Sequence, residues 1–172
     1  MKPRWFARAG RPLDAGEKFA IDALRGALDI GAEPGGPLAV EVIGWQDLGR
    51  ILRDEDRDNR WWDAEEGERE RLWSIASERM TEGALSTALT ESAAGMTAAV
   101  CSAAMRATSD AFTTGDMSLA RAASDAVLLA VHQHLLASIA EAGDAHYFAI
   151  KYRLFAAGRW PLGPSAGRFV IL

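Results

Sequence analysis

His132 and His134, two residues apart, are the side chains that first suggest chemistry. A His-x-His pair invites a metal, yet on a helix positions i and i+2 point about 200° apart, so the two rings cannot close on one ion. His132 falls between Leu129 and Leu136 with Asp125 in line one turn back, a spacing that carries its imidazole towards the interior; His134 points elsewhere. A carboxylate-bridged site built from His132, Asp125 and Glu91 of a facing helix is geometrically open. It lacks the Glu-x-x-His repeat on two helices that marks di-iron bundles. A buried histidine satisfied by hydrogen bonds is the simpler reading, and an enzyme or metal site around His132 is the alternative. Cys101, the single cysteine, lies among small residues and reads as a core residue; with no partner for a disulfide it suits a reducing cytoplasm. Gly-rich phosphate loops, His-Glu-x-x-His, Gly-x-Ser-x-Gly and Cys-x-x-Cys are all missing, so no cofactor is expected.

The elements that must position these residues come from one long run. From Asp63 to Glu141 the chain is rich in Ala, Leu, Met, Glu and Arg and free of proline, which reads as two or three successive helices. Gly115-Asp116 breaks the run, with Asp116 as N-cap of the next helix. Ala84, Ala88, Ser92, Gly95, Ala99 and Ala103 form a small-residue ridge expected to face the core. Residues 16–30 read as an amphipathic helix with Phe19, Ala20, Ala23, Leu24, Ala27 and Leu28 inward, and residues 1–15 as a partly ordered arm. Glu33-Pro-Gly-Gly-Pro37 is a rigid connector. Leu38 to Leu52 mixes strand alternation with helical period, and helix is the reading preferred over all of it, with Pro37 in its first turn. The expectation is a mainly α, single-domain bundle of about five to six helices over residues 1–172 with a short C-terminal β-segment.

A net charge of −5 disfavours a general nucleic-acid binder. The apolar run 126–140 is shorter than the ~20 residues that span a bilayer, so no membrane partner is expected either. The densest charge is between Arg53 and Gly67, where Asp54, Glu55, Asp56 and Asp58 precede Trp61 and Trp62. One reading is a solvated loop entering a helix, with Asp63 and Glu66 as a capping box and Glu65 paired to Arg69. The other is a docking surface for a basic protein, because aromatic residues anchor interfaces and complementary charge steers encounter. Two adjacent tryptophans cannot share one core pocket.

The end of the chain is the most distinctive stretch. Asp144 is placed to N-cap a short helix whose apolar side is Phe148, Tyr152 and Phe155. Gly158 is placed to end it, and Trp160, Pro161 and Leu162 to carry the exit into the core. Together Asp144, His146, Lys151, Gly158, Trp160 and Pro161 read as a structural clasp. Phe169 to Leu172 then reads as a strand that needs a partner, from residues 38–43 or from a second copy of the chain.

The His-Tyr-Phe, Lys, Leu-Phe and Gly-Arg-Trp-Pro-Leu-Gly elements of this ending, with the charged Trp-bearing segment running into Arg71-Leu72-Trp73, resemble the small all-helical immunity proteins of bacterial polymorphic toxin systems. That resemblance implies a cytoplasmic, non-catalytic protein that binds and neutralises one toxin. It carries over no catalytic residues. The competing readings are the enzyme or metal protein around His132 and a self-associating structural protein, a homodimer joined through the C-terminal strand.

Overall fold

A computed structural model describes residues 3–27, 38–53, 59–113 and 115–172. Among them the chain forms six helices, α1 (Ala15–Ala27), α2 (Trp45–Leu52), α3 (Asn59–Arg79), α4 (Glu82–Ala111), α5 (Met117–Ile139) and α6 (Tyr147–Ala157), with strands β1 (Ala39–Val42), β2 (Pro161–Ser165) and β3 (Arg168–Ile171). The fold is mainly α with a small sheet completed at the C-terminus. The connector 33–37 and the acidic residues Asp54, Glu55, Asp56 and Asp58 lie outside the described residues.

The long proline-free run resolves into α3, α4 and α5. Asp116 caps α5 as expected, its Oδ1 accepting from the backbone N–H of Ser118 at 2.9 Å and of Leu119 at 3.0 Å. α5 is the centre of the bundle, packed by α3, α4 and α6. By length and composition it is the one helix among the described residues that could cross a membrane, and its packing against three helices accounts for that apolarity equally well.

Several faces differ from the sequence reading. On α4 the buried positions are Leu85, Leu89, Val100, Ala104 and Thr108, whereas Ala84, Gly95 and Ala99 of the expected ridge are exposed. The large aliphatic side chains, which gain most from leaving water, set the rotation of the helix, and the small residues follow on its flank. α1 buries Ile21 and Leu24 and leaves Phe19, expected inward, exposed. Asp63 lies inside α3, which begins earlier at Asn59, so it forms no capping box with Glu66.

Residues 38–52 divide at Gly44 into β1 and α2 rather than forming one helix, because the alternating half answers to a strand partner distant in sequence. β3 lies in the middle of the sheet, parallel to β1 and antiparallel to β2, with Val40 opposite Phe169 and Val42 opposite Ile171. Gly163, Pro164 and Ser165 form the second half of β2. The two-residue turn at Ala166 and Gly167 has positive φ at both positions, as a tight hairpin needs. The strand whose lack of a partner motivated self-association is thus paired on both sides within the chain.

The segment expected as an arm is packed over its described part. Phe6 is buried and stands edge-on to Trp45 and Trp160 at centroid distances of 5.4 and 6.4 Å. Backbone bonds from Arg4 N–H to the Ala156 carbonyl (2.9 Å) and from Arg8 N–H to the Gly158 carbonyl (3.2 Å) tie it to the end of α6. Gly158 makes this approach possible: its φ is +101°, and a Cβ there would stand 2.8 Å from the Arg4 carbonyl oxygen.

Candidate functional site

Four polar side chains from three helices meet inside the protein where α3, α5 and α6 cross. Lys151 is carried inward by α6 on the same face as Tyr147, Phe148, Leu154 and Phe155. Its Nζ donates to Glu65 Oε1 and Oε2 at 2.6 and 2.7 Å and to Gln133 Oε1 at 3.2 Å, so its three protons have three acceptors. Glu65 also accepts from the Tyr147 hydroxyl and, at 3.4 Å, from Gln133 Nε2. All four residues are buried. Burial lowers the pKa of Lys151 while the Glu65 carboxylate opposes that fall, and burial together with the Glu65 charge pushes the Tyr147 phenol well above its ordinary range.

A lysine in such a setting has the chemistry of a nucleophile or base. Here it is held on all sides, and neither of the two clefts described below has any of the four residues in its wall. The Glu65–Arg69 pair expected from spacing is replaced: Glu65 turns inward to Lys151, and Arg69 pairs with Glu66 at the surface.

A second buried network fixes the N-terminal segment. Arg159, with no exposed surface, makes a bidentate pair with Glu17, Nε to Oε1 and Nη2 to Oε2 at 3.0 Å each, and donates to the carbonyls of Arg8 (2.5 Å) and Pro12 (2.8 Å). Asp14 and Glu17 form a reciprocal capping box, each carboxylate accepting the other's backbone N–H at 2.9 Å. Arg8 joins them, its Nη2 bonding Asp14 and Glu17, while its Nε lies 3.0 Å from Glu17 at an angle too bent for a hydrogen bond. Burial raises the Glu17 pKa, but the bonds from Arg159 and the Asp14 N–H outweigh it and leave the carboxyl below its usual range.

In the stretch read as a clasp, the N-cap of α6 is not the expected one. Asp144 is exposed, and His146 caps α6 instead, its Nδ1 accepting from the Phe148 N–H at 3.1 Å. An accepting Nδ1 places the ring proton on Nε2, which donates to Glu68 Oε1 at 2.6 Å. An imidazole with two reach points joins α6 to α3, which a single carboxylate at position 144 does not do. Gly158 ends the helix in the left-handed conformation, and Trp160 and Pro161 are buried.

The tryptophan pair is split. Trp61 is 1% exposed, edge-on to Tyr147 and Phe169, and lies against Gly163, where a Cβ would be 3.0 Å from its indole nitrogen. It is a core residue, which corrects its expected place on a docking surface. Trp62 is 37% exposed, with Asp63, Glu66 and Glu70 exposed alongside it on α3.

The histidine site does not assemble. His132 is half-buried, Asp125 is exposed and 3.8 Å from Arg121, and Glu91 is exposed on α4; among the described residues no three metal-ligating side chains converge. The second face of α5, which carries Leu129, is partly open to solvent rather than fully interior. Burial and the neighbouring Arg69 lower the His132 pKa. His134 stacks on Tyr152 at 4.5 Å, and burial and Arg153 lower its pKa against the opposing pull of Asp144. Cys101 is half-buried.

Among the described residues the surface carries clefts. One, of about 470 Å³, has Trp5, Phe6 and Trp45 against the small residues Ala103, Ala107 and Ala111 of α4, with Arg11, Arg106 and Asp110 at its rim. Another, of about 460 Å³, lies between the N-terminal segment, α1 and α6. No family model, no curated protein and no solved structure matches the chain.

Proposed function

We propose that this chain is a non-catalytic protein-binding module that docks a basic partner on the outward face of α3. One observation carries the reading: α3 buries Trp61 and holds Trp62 at the surface, in a patch with Asp63, Glu66 and Glu70. Positions 62, 66 and 70 are spaced by four residues and position 63 lies one turn before 66, so the indole and the carboxylates share one side of the helix. A partly exposed Trp with the carboxylates of Asp63 and Glu70 on the same helix side, Glu66 being paired to Arg69, matches the make-up of interface anchors, and the net charge of −5 favours encounter with a basic surface. The resemblance of the C-terminal stretch to immunity proteins makes toxin neutralisation in the bacterial cytoplasm the specific form proposed.

The test is co-purification of this chain with the product of the adjacent reading frame in its genome. A stable complex is expected, weakened by at least about tenfold in W62A and in D63K/E70K, with thermal stability nearly unchanged. Binding indifferent to both substitutions, or no complex with the unsubstituted chain, would overturn the proposal.

A further inference from the structure

In the cleft between the N-terminal segment, α1 and α6, basic groups outnumber acidic ones, against the net charge of −5 of the chain. Arg4, Arg8 and Arg153 line it with Asp14 and Glu17, over a floor of Ala20, Leu154 and Ala157. Both carboxylates are already engaged: Glu17 is clamped by Arg159 and bonded by Arg8, and Asp14 is paired to Arg8 at 3.0 Å and caps α1. Arg4 and Arg153 are exposed, and among the described residues neither side chain makes a hydrogen bond or an ion pair. Their guanidinium groups therefore stand uncompensated at the mouth of an apolar hollow.

The walls are fixed before any ligand arrives. The Arg4–Ala156 and Arg8–Gly158 backbone bonds and the buried Arg159–Glu17 pair hold the N-terminal segment, α1 and α6 in one arrangement, so little ordering is required on binding. A volume of about 460 Å³ is within the range of small-molecule sites. Guanidinium forks match planar carboxylates in bidentate geometry, and the alanine and leucine floor suits a hydrocarbon chain.

We propose that this cleft binds a small organic anion, a carboxylate on a short apolar tail, with Arg4 and Arg153 receiving the carboxylate and Ala20, Leu154 and Ala157 the tail. The site is independent of the α3 surface.

The experiment is an amide-detected NMR titration of the full chain with hexanoate, with 1-hexanol and inorganic phosphate as probes of the tail and the charge alone. Hexanoate is expected to shift the amides of Ala20, Leu154 and Ala157 and to bind at least about tenfold more tightly than either comparison probe. R4A/R153A, whose parent side chains are exposed, should keep the fold and lose that binding by about tenfold or more. R11A/R106A, at the other cleft, should leave it unchanged. Hexanoate binding no tighter than hexanol or phosphate, or equal binding by R4A/R153A, would overturn the proposal.

Discussion

Replacing Lys151 with Met removes the ammonium group that Glu65 faces at 2.6 and 2.7 Å, leaving a buried carboxylate with only the Tyr147 hydroxyl and the 3.4 Å contact from Gln133. Glu65→Gln is the mirror experiment: it leaves Lys151 with neutral acceptors only. Breaking a buried pair by removing one partner costs about 3–5 kcal/mol, because the remaining charge must stay desolvated or change its protonation. K151M and E65Q should each lose that amount. The double variant E65Q/K151M strands no charge and should lose far less than the sum, with a coupling of about −3 kcal/mol. In urea, with a slope of about 2 kcal/mol/M, the single variants should show midpoints lower by about 1.5–2.5 M, followed by circular dichroism. A pH series adds a signature. The folded Lys151 pKa lies below its ordinary 10.5, and E65Q removes the carboxylate that opposes the fall. The unfolded chain then binds more protons, so the E65Q deficit should shrink as pH rises from 7 towards 10 and be smallest above 10.5. Single losses below about 1 kcal/mol, strict additivity, or a deficit that grows with pH would refute the account of the network.

Trp61→Ala should cost about 3–5 kcal/mol as a core truncation and Trp62→Ala less than about 1 kcal/mol, measured by denaturant unfolding; equal costs would contradict the split of the pair. Gly158→Ala combines a φ of +101° with a Cβ 2.8 Å from the Arg4 carbonyl oxygen and should lose about 2 kcal/mol, read as a fall of roughly 4–8 °C in Tm; a fall under about 1 °C would show that the N-terminal segment does not press on this position. His132 and His134 both have folded pKa values below their ordinary 6.5, so the unfolded chain takes up protons first; their stabilisation is complete above about pH 6.5 and declines as pH falls through and below it. H132Q/H134Q should flatten the Tm profile between pH 5 and 7, and an unchanged slope would count against both shifts.

Part of this architecture is legible in the sequence because its causes are local. The Gly115-Asp116 break, the glycine stop at 158 and the helical period of α5 each depend on a few neighbouring residues. The face of α4 is not local: the Ala and Gly ridge is real as a pattern, but Leu85, Leu89 and Val100 outweigh it once a partner helix is present. The division of residues 38–52 depends on β3, more than a hundred residues away. For the buried networks a signal exists at Lys151, a lone charge among Tyr147, Phe148, Leu154 and Phe155 at helical spacing, and a weaker one at Glu65, which shares the side of Trp61 and Leu72. Arg159 and Glu17 carry no such mark. Their meeting across 142 positions depends on where the N-terminal segment is laid.

The first network lies where α3, α5 and α6 cross, beside a core that includes Ala76, Ala137 and Ala140 as well as larger side chains, and apolar packing of that kind tolerates rearrangement at similar energy. Directional bonds from Lys151, Gln133 and Tyr147 to one carboxylate are compatible with a single register of α3, α5 and α6, and the Arg159 fork does the same for the N-terminal segment and α1. The hypothesis is that these groups contribute uniqueness more than net stability, since a well-packed apolar replacement of a buried ion pair is often neutral or stabilising. E65M/Q133L/Y147F/K151M makes the first junction wholly apolar. Its unfolding free energy should stay within about 2 kcal/mol of the parent while amide NMR lines broaden or double near α3 and α6, marking alternative packings. A stable variant with lines as sharp and dispersed as the parent's would show that the apolar surfaces select the register unaided.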